Sequence, residues 1–244
     1  MKNIVIAAGY ATRLYPLTEN FPKPLLKIGN STILDRMLSD IDTIDEVDEH
    51  IVVTNHKFAP IFNEWVLKRN DALKKVTIID DGTITNEGRL GAVRDLLLAI
   101  DNCHINDDIM VLAADNILDF SLKGFVDFFK KKNASVIMTY YEPELKKLQR
   151  TGVIAVNEQM KVLEMQEKPE RPVSNWAVPP FYIYKQGDLP YIKDCLNHGC
   201  GFDAPGNLAH YLVDHTNIYA WKMTGSRFDI GSLDSYHEAI KLFG

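Results

Sequence analysis

The chain has 244 residues, of which 46% are hydrophobic and 25% charged, which is the composition of a globular protein with a core of its own. Its net charge of −6 gives no electrostatic support for binding to nucleic acid or to an anionic membrane surface. An anionic small molecule is compatible with this charge, because a few local cations, backbone N–H groups and a metal ion suffice to bind it.

The three cysteines, Cys103, Cys195 and Cys200, are odd in number and contain no CxxC pair. We interpret them as reduced thiols, not as a disulfide framework or a zinc site. The sequence starts directly in an apolar strand, and no apolar stretch approaches the about 18 residues that a membrane-spanning helix needs. We therefore expect a cytoplasmic protein with no membrane partner.

Short apolar runs alternate with amphipathic stretches along the first 140 residues. Strands are predicted at 4–8, 51–54, 76–79, 109–114 and 134–141, and helices at 33–41, 58–69, 92–100 and in the stretch that carries Phe125, Phe128 and Phe129. Ser31 and Ser121 are predicted to cap the helices that follow them, because a serine hydroxyl accepts a hydrogen bond from the first turn.

The pattern changes after residue 152. Strands 153–156, 162–165 and 181–184 are joined by turns, and helical patterns return at 189–196, 207–215 and 234–243. Strands that are apolar throughout and alternate with helices are typical of a parallel sheet covered on both faces. We predict an α/β fold: a Rossmann-like mixed, mainly parallel sheet with helices on both faces. Ligands bind such sheets at the carboxyl ends of the strands.

The first strand leads into the segment AAGYATRLYPLT at 7–18, which is followed by FPKPLL at 21–26. Small residues after a buried strand let backbone N–H groups approach a phosphate or a base. Arg13 and Lys23 add two cations, and the prolines on both sides of Lys23 stiffen its backbone, which favours a polyphosphate clamp. On these residues alone, a structural turn with two surface cations stays an alternative. No GxxxxGK[ST] pattern is present, so the segment is not a Walker-type loop.

Residues 7–26 resemble the signature of the sugar-1-phosphate nucleotidyltransferases, which is approximately L-A-A-G-x-G-T-R-L-x-P-L-T followed by P-K-P-L-L. Ala11 stands where the second Gly is usual, and Ile6 stands where Leu is usual. The resemblance implies that Arg13 binds triphosphate and Lys23 holds phosphates. It implies a nucleotide-binding set of Ala8, Gly9, Tyr10, Ala11, Thr12, Arg13 and Gly91.

Four later motifs extend the resemblance over the chain. Gly91 lies in RLGA, which is similar to the family's L-G-T-A, and Asp115 lies in AADN, which is similar to G-D-N/H. Glu167 and Lys168 begin a copy of E-K-P, and Asp229 lies in FDIGS, similar to W-x-D-T/I-G-T. The resemblance implies that Asp115 and Asp229 bind Mg²⁺. It also implies that Glu167 holds sugar hydroxyls and Lys168 the sugar phosphate. The residues implied are Arg13, Lys23 and Asp115 for catalysis and Glu167, Lys168, Val178 and Tyr182 for the acceptor.

These residue types suit transfer of a nucleotidyl group from a nucleoside triphosphate to a sugar-1-phosphate, which gives an NDP-sugar and pyrophosphate. A sugar phosphate has a second pKa of about 6, so its attacking oxygen is largely deprotonated at pH 7 and needs no general base. The obstacle is repulsion between two anions, which Mg²⁺, Arg13 and Lys23 would reduce. We predict one domain over 1–244, with a nucleotide-binding half at 1–140 and a sugar-phosphate-binding half at 141–244.

Two other functions stay open. Glu167-Lys168-Pro169 argues against a CTP-dependent cytidylyltransferase acting on a phospho-alcohol such as phosphocholine, but two departures from the family pattern keep this alternative open. Val178-Pro179-Pro180 replaces the usual Thr-Gly, and the polar loop 81–86 is long. An inactive regulatory or binding homologue is disfavoured, because the arginine and both metal carboxylates are retained. The nucleobase, the sugar and the oligomeric state, a homo-oligomer included, are left open. Pro24 stands where thymidylyltransferases carry Gln.

Overall fold

The computed structural model describes residues 1–69 and 73–244. Internal contacts divide the chain into two compact units. The first unit consists of Met1–Leu90, Ala113–Lys123 and Gly225–Gly244, and the second of Gly91–Leu112 and Gly124–Thr224. One domain over 1–244, with a nucleotide-binding half at 1–140 and a sugar-phosphate-binding half at 141–244, stays a prediction.

Strands and helices alternate along most of the described chain. The strands are β1 (Lys2–Ile6), β2 (Lys27–Ile28), β3 (Ser31–Thr32), β4 (Glu49–Thr54), β5 (Lys75–Asp80), β6 (Ile109–Ala113), β7 (Asn116–Leu118), β8 (Ser135–Tyr141), β9 (Gly152–Val156), β10 (Val162–Glu167), β11 (Trp176–Val178), β12 (Phe181–Tyr184), β13 (Ile218–Lys222) and β14 (Arg227–Asp229). The helices are α1 (Ile33–Asp42), α2 (Ala59–Val66), α3 (Ala92–Asn102), α4 (Lys123–Lys132), α5 (Leu145–Leu148), α6 (Pro190–Asn197), α7 (Gly206–Val213) and α8 (Leu233–Phe243).

In the first unit, β1, β4 and β5 form a parallel ladder. β4 lies between the other two strands, with Ile51 opposite Ile4 on one side and Thr77 on the other. The side chains of Ile4 and Ile51 are fully buried, as expected for a strand that is apolar throughout. Helix α1 buries its apolar side chains, which recur at three- and four-residue spacing: Ile33, Leu34, Met37, Leu38 and Ile41.

Thr32, not Ser31, caps α1. Thr32 Oγ1 accepts a hydrogen bond from Asp35 N at 2.9 Å. Ser31 lies in the short ladder that β3 forms with β2. The prediction of Ser31 as the cap is wrong by one residue, because both hydroxyl side chains suit a helix N-cap and the helix begins at Ile33, directly after Thr32. Ser121 Oγ accepts from Lys123 N at 3.1 Å, as predicted for a cap.

A second apolar cluster of the first unit packs the signature segment against the last helix. Its buried members are Leu14, Leu26, Ile28, Ile33, Ile117, Ile230 and Ala239. The strands β7 and β14 pair in antiparallel orientation beside it, with Asn116 opposite Asp229. The residues that follow Asp115 and those that precede Ile230 therefore share one ladder.

The second unit is built on a mixed sheet. β8 pairs in antiparallel orientation with β11 and β12 and in parallel orientation with β13. The sheet continues from β11 to β9 and β10, and from β12 to β6. Helix α7 packs against β10, and α6 packs against α3 and α7. This packing brings Glu167, the last residue of β10, close to Gly206 at the start of α7.

The second unit also contains a disulfide between Cys195 and Cys200. Gly199, which lies between the two cysteines, has a φ of 70° and turns the chain back after α6, and the two cysteine Cα atoms lie 5.2 Å apart. The interpretation of these cysteines as reduced thiols is wrong in this structure, because this turn brings their side chains together. Cys103 is a thiol.

The predicted elements are present, with bounds that differ by at most three residues. The sequence patterns missed β2, β3, β7, β11, β14 and α5, which have two to four residues and are too short to show a period, and they also missed the five-residue strand β13. Among residues 1–69 and 73–244, no helix combines the length and the apolar character that crossing a bilayer requires.

A buried polar network joins three elements of the first unit. His50 in β4 is fully buried, with Nδ1 at 2.9 Å from Asn3 Nδ2 and Nε2 at 3.0 Å from Asp42 Oδ1. Arg69 Nη2 donates to Asp42 Oδ2 at 2.9 Å. A neutral imidazole that accepts from Asn3 and donates to Asp42 satisfies both contacts. Burial lowers the pKa of His50, although Asp42 opposes this effect.

We expect the free energy of unfolding to fall as the pH drops below about 6.5, because the unfolded chain then binds a proton that folded His50 resists. His50→Gln keeps one acceptor and one donor without this titration. The fall in stability between pH 7 and pH 5, measured by urea unfolding, should therefore be smaller in the variant. An equal fall in both proteins would contradict the assignment to His50.

Candidate active site

The backbone of the turn after β1 is hydrogen-bonded to the interior of the first unit at Ala7 and Ala8 and is exposed at Gly9. Ala7 N donates to Val53 O at 2.8 Å, which extends the ladder by one residue. Asn55 Nδ2 donates to Ala8 O at 3.0 Å. Gly9 is exposed, and a Cβ atom added to it would have no neighbour within 4 Å. A ligand can therefore approach the backbone of this turn closely from outside.

The next three residues of the signature lie in different surroundings. The Tyr10 side chain is buried, donates from its hydroxyl to Thr83 O at 3.0 Å and lies against the Phe58 ring. Only the Tyr10 backbone is therefore available to a ligand. Ala11 has φ 47° and ψ 42°, the left-handed conformation that favours glycine, and Thr12 begins an exposed helical turn.

Lys23 connects two distant segments of the first unit. Its Nζ donates to Asp115 Oδ2 at 2.8 Å and to Ile230 O at 2.7 Å. Ile230 N in turn donates to Asp115 O at 3.0 Å. Asn116 Nδ2 donates to the second carboxylate oxygen of Asp115 at 2.7 Å. Both oxygens of Asp115 are thus held in place by donors.

Asp229 lies close to Asp115 because β7 and β14 pair. Its side chain is 52% exposed, and Arg227 Nη1 lies 3.6 Å from its Oδ1. Partial burial of the carboxylate and the negative charge of Asp115 raise the pKa of Asp229, while Arg227, Lys23 and Arg13 act in the opposite direction. The two carboxylates repel each other, so a cation is favoured beside them.

The donor set fits a hard divalent cation that also binds substrate. No group of three or more His, Cys, Asp or Glu side chains in residues 1–69 and 73–244 is arranged to hold a metal ion. Mg²⁺ commonly keeps several waters and takes one or two carboxylates together with phosphate oxygens. Asp115 and Asp229 satisfy this requirement only in the presence of a phosphate ligand.

A cavity of about 230 Å³ in the first unit joins the signature turn to Asp115. Arg13 lines this cavity and has no hydrogen bond or ion pair with any residue that the structure describes. Its guanidinium is therefore available for an anion. The cavity is lined by Ile6, Ala7, Gly9, Ala11, Arg13, Lys23, Pro24, Ala113, Ala114 and Asp115.

In the second unit, the Glu167 carboxylate lies in a slot between two glycines. A Cβ atom on Gly206 would lie 2.0 Å from Glu167 Oε2, and one on Gly152 would lie 3.4 Å from it. The Glu167 side chain is only 17% exposed, and it accepts no hydrogen bond from any described residue. Burial raises the pKa of Glu167, which Lys168 and His210 oppose. A buried carboxylate without donors favours a ligand that supplies them.

The other predicted acceptor residues surround this slot. Lys168 is 55% exposed, and its Nζ lies 3.9 Å from Glu167 Oε1. Its backbone has φ 50°, and its N–H donates to Thr151 O. Val178 is buried, and its carbonyl accepts from Thr151 Oγ1 at 2.8 Å. Burial and the charge of Glu167 raise the pKa of Tyr182, which is consistent with a phenol close to that carboxylate.

Gly91 has a structural reason to be glycine. Its φ is 90°, and a Cβ atom there would lie 2.6 Å from Phe202 O. Val93 N donates to Phe202 O at 3.0 Å, and the Arg94 guanidinium lies 3.9 Å from the Phe202 ring centroid. The loop around Phe202 thus caps α3, and the predicted contact of Gly91 with a nucleotide stays a prediction.

Two residues of the site were missed by the sequence analysis. Arg227 lies two residues before Asp229 in a strand, so both side chains project from the same face. That spacing is a signal available from the sequence. Asn55 follows the buried strand β4 as Gly9 follows β1, but nothing in the pattern indicates that its amide reaches Ala8.

A family model described as nucleotidyl transferase matches residues 2–243. The bifunctional protein GlmU of Methanococcus aeolicus is 29% identical over 95% of this chain, which spans 51% of that protein. The UTP–glucose-1-phosphate uridylyltransferase AglF of Haloferax volcanii is 26% identical over 98% of this chain and 95% of its own length. A glucose-1-phosphate adenylyltransferase of Clostridium novyi is 28% identical over 98% of this chain and 65% of its own length.

Solved structures share the fold. A putative glucose-1-phosphate thymidylyltransferase from Bacillus anthracis superposes with a TM-score of 0.82 at 22% identity, covering 99% of this chain and 94% of its own. A UDP-glucose pyrophosphorylase complexed with UDP-glucose gives a TM-score of 0.82 at 22% identity and covers 97% of its own chain. The predicted α/β fold with a mixed sheet is confirmed.

We expect Gly91→Ala to lower the free energy of unfolding by about 2 kcal/mol or more, because a side chain there is strained by φ and collides with Phe202. Gly187→Ala is the matched control in the same unit, since a Cβ atom at Gly187 has no neighbour within 4 Å. Urea unfolding measures both variants. Equal stability of the two variants would show that Gly91 is not constrained by this packing.

Proposed function

The chain belongs to the nucleotidyl transferase family, and from this premise we propose that it transfers a nucleotidyl group from a nucleoside triphosphate to a sugar-1-phosphate and releases pyrophosphate. The predicted resemblance and the predicted enzyme class are confirmed. Two relatives are named for reactions of glucose-1-phosphate with different nucleotides. Their names support a sugar-1-phosphate acceptor and leave the nucleoside triphosphate to experiment.

One observation carries the proposal. Two cations from the signature segment and a metal-binding type of carboxylate from a later motif line the same cavity in the first unit: Arg13, Lys23 and Asp115. A triphosphate brings about four negative charges that must be neutralised before an anion can attack it. The unpaired guanidinium of Arg13 suits this role, because its planar fork binds two phosphate oxygens at once. The backbone of Gly9 is open to the nucleoside.

We assign Mg²⁺ to Asp115 and Asp229. When bound, the ion would neutralise phosphate charge and bring the triphosphate into a fixed position. Lys23 partly neutralises Asp115 through an ion pair at 2.8 Å. Arg227 does the same for Asp229.

The second unit supplies the acceptor residues. Glu167 lacks donors within the described chain, so hydroxyl groups of a sugar would satisfy its oxygens. The ammonium of Lys168 is exposed and would neutralise the acceptor phosphate. The attacking oxygen is already deprotonated near pH 7, so these residues position the acceptor and do not need to remove a proton.

We expect Asp115→Asn to lower turnover by roughly 100-fold or more, because it removes charge that positions the metal and the transferring phosphate. Asp229→Asn should have a similar effect. Pyrophosphate release is measured with ATP, UTP, dTTP, CTP and GTP, each with glucose-1-phosphate and Mg²⁺. Excess EDTA should abolish the wild-type rate.

Asp234→Asn is the matched control, since Asp234 is an exposed aspartate of the first unit outside the cavity. It should retain wild-type turnover. Full activity in EDTA, or in Asp115→Asn, would refute the metal assignment.

Glu167→Gln should separate the sugar acceptor from the phospho-alcohol alternative, which Val178-Pro179-Pro180 keeps open. An amide accepts hydroxyl hydrogen bonds less strongly than a carboxylate, so kcat/KM should fall roughly 10-fold for glucose-1-phosphate. Phosphocholine has no ring hydroxyls, so its rate should not change. Lys168→Ala serves as the comparison, because it should weaken both acceptors alike. A Glu167→Gln variant with unchanged use of glucose-1-phosphate would favour the phospho-alcohol.

The cytoplasmic location and a homo-oligomeric state stay predictions. The chain spans about half of the length of GlmU and about two thirds of the length of the adenylyltransferase.

A further inference from the structure

The side-chain amide of Asn55 contacts the turn after β1, which contains Gly9 of the candidate nucleotide site. Asn55 is 0% exposed, so no ligand touches it. Its Nδ2 donates to Ala8 O at 3.0 Å, and its Oδ1 accepts from Phe58 N at 3.1 Å. The side chain therefore connects the turn after β1 to the start of α2, and both ends of the amide are used.

The bond to Ala8 determines the direction of the next N–H group. The peptide between Ala8 and Gly9 is trans, so its carbonyl and its N–H point in opposite directions within one plane. Asn55 holds the carbonyl toward the interior of the first unit. The Gly9 N–H consequently points outward, and it donates to no acceptor within residues 1–69 and 73–244.

Other contacts on this turn hold neighbouring residues but not this peptide. Ala7 is held by Val53, Tyr10 by Thr83, and Ala11 by Thr18, whose hydroxyl donates to its carbonyl at 2.8 Å. Within the described chain, Asn55 makes the one side-chain hydrogen bond to the Ala8 or Gly9 backbone. Without it, the peptide would be free to rotate between its neighbours.

We propose that Asn55 is a positioning residue that, through Ala8, aims the Gly9 N–H at the bound nucleoside triphosphate. Gly9 lines the cavity that also contains Arg13 and Lys23, so a donor fixed there meets an anionic or carbonyl oxygen of the nucleotide. This inference rests on the proposed function only in taking the ligand to be a nucleotide. It adds a requirement that the signature motif does not contain.

Asn55→Asp is the sharpest variant, because it is isosteric and keeps an acceptor for Phe58 N. Its second oxygen then faces the Ala8 carbonyl and cannot donate, so the peptide turns away. Losing the alignment of one hydrogen bond to a charged ligand weakens binding roughly 10-fold. We expect KM for the nucleoside triphosphate to rise roughly 10-fold, with KM for glucose-1-phosphate unchanged.

Asn3→Asp is the matched control. Asn3 is also fully buried in the first unit and hydrogen-bonded through Nδ2, to His50, away from the cavity. It should lose stability in urea unfolding and retain the wild-type KM for every substrate. Asn55→Ser gives a second, smaller change that lacks the reach to Ala8 and should reproduce the KM effect. Equal KM values in wild type and both Asn55 variants, or equal increases in Asn55→Asp and Asn3→Asp, would overturn the positioning role.

Calorimetric titration with ATP, UTP, dTTP, CTP and GTP in Mg²⁺ separates this inference from the proposed function. Wild-type binding without pyrophosphate release would refute the proposed function alone. If the wild type and Asn55→Asp bind the nucleotide with the same affinity, the positioning role alone is refuted. Failure of the wild type to bind any of the five would refute both.

Discussion

Three segments that are far apart in the sequence meet at the ammonium group of Lys23. It contacts Asp115 and the carbonyl of Ile230, and the Ile230 N–H returns to the backbone of Asp115. Such a charge is costly to bury unless it is paired with an opposite charge and hydrogen-bonded, so the arrangement specifies how these segments come together. The position of the Asp115 carboxylate, and with it the cavity beside Arg13, depends on this one closed set of contacts.

The sequence predicted the fold class, but not the short strands that bring the candidate site together. Arg13, Lys23, Asp115 and Asp229 were implied by the resemblance of their motifs to those of the family, and the structure places all four in the first unit. The roles given to them are still proposals. The long strands and helices were predicted because their periods extend over many residues, whereas β7 and β14, which bring Asp115 and Asp229 together, are three residues each. Strands this short form only when they pair with a strand from a distant part of the chain.

Other features could not be read from the sequence, because they depend on contacts between distant residues. Nothing local indicates that Tyr10 turns inward to Thr83 or that Phe202 covers Gly91. The Cys195–Cys200 bond depends on the return of the chain at Gly199, which has a φ of 70°. Tyr10 and Gly91, which the resemblance assigns to a nucleotide, are each held by packing as well. A glycine or aromatic residue in a signature therefore does not report ligand contact by itself.

The left-handed backbone of Ala11 has a consequence for recognising such proteins. A methyl group in this conformation costs about 1–2 kcal/mol, while glycine loses about 0.5–1 kcal/mol more conformational freedom on folding than alanine. Part of the first cost is offset by the second, which leaves alanine about 0–1.5 kcal/mol less favourable than glycine at this position, and bulkier β-branched residues are worse. A search pattern that demands glycine there would exclude this chain, although Ala11 adopts the conformation that glycine favours. The backbone conformation, and not the residue type, is what a search at this position should test.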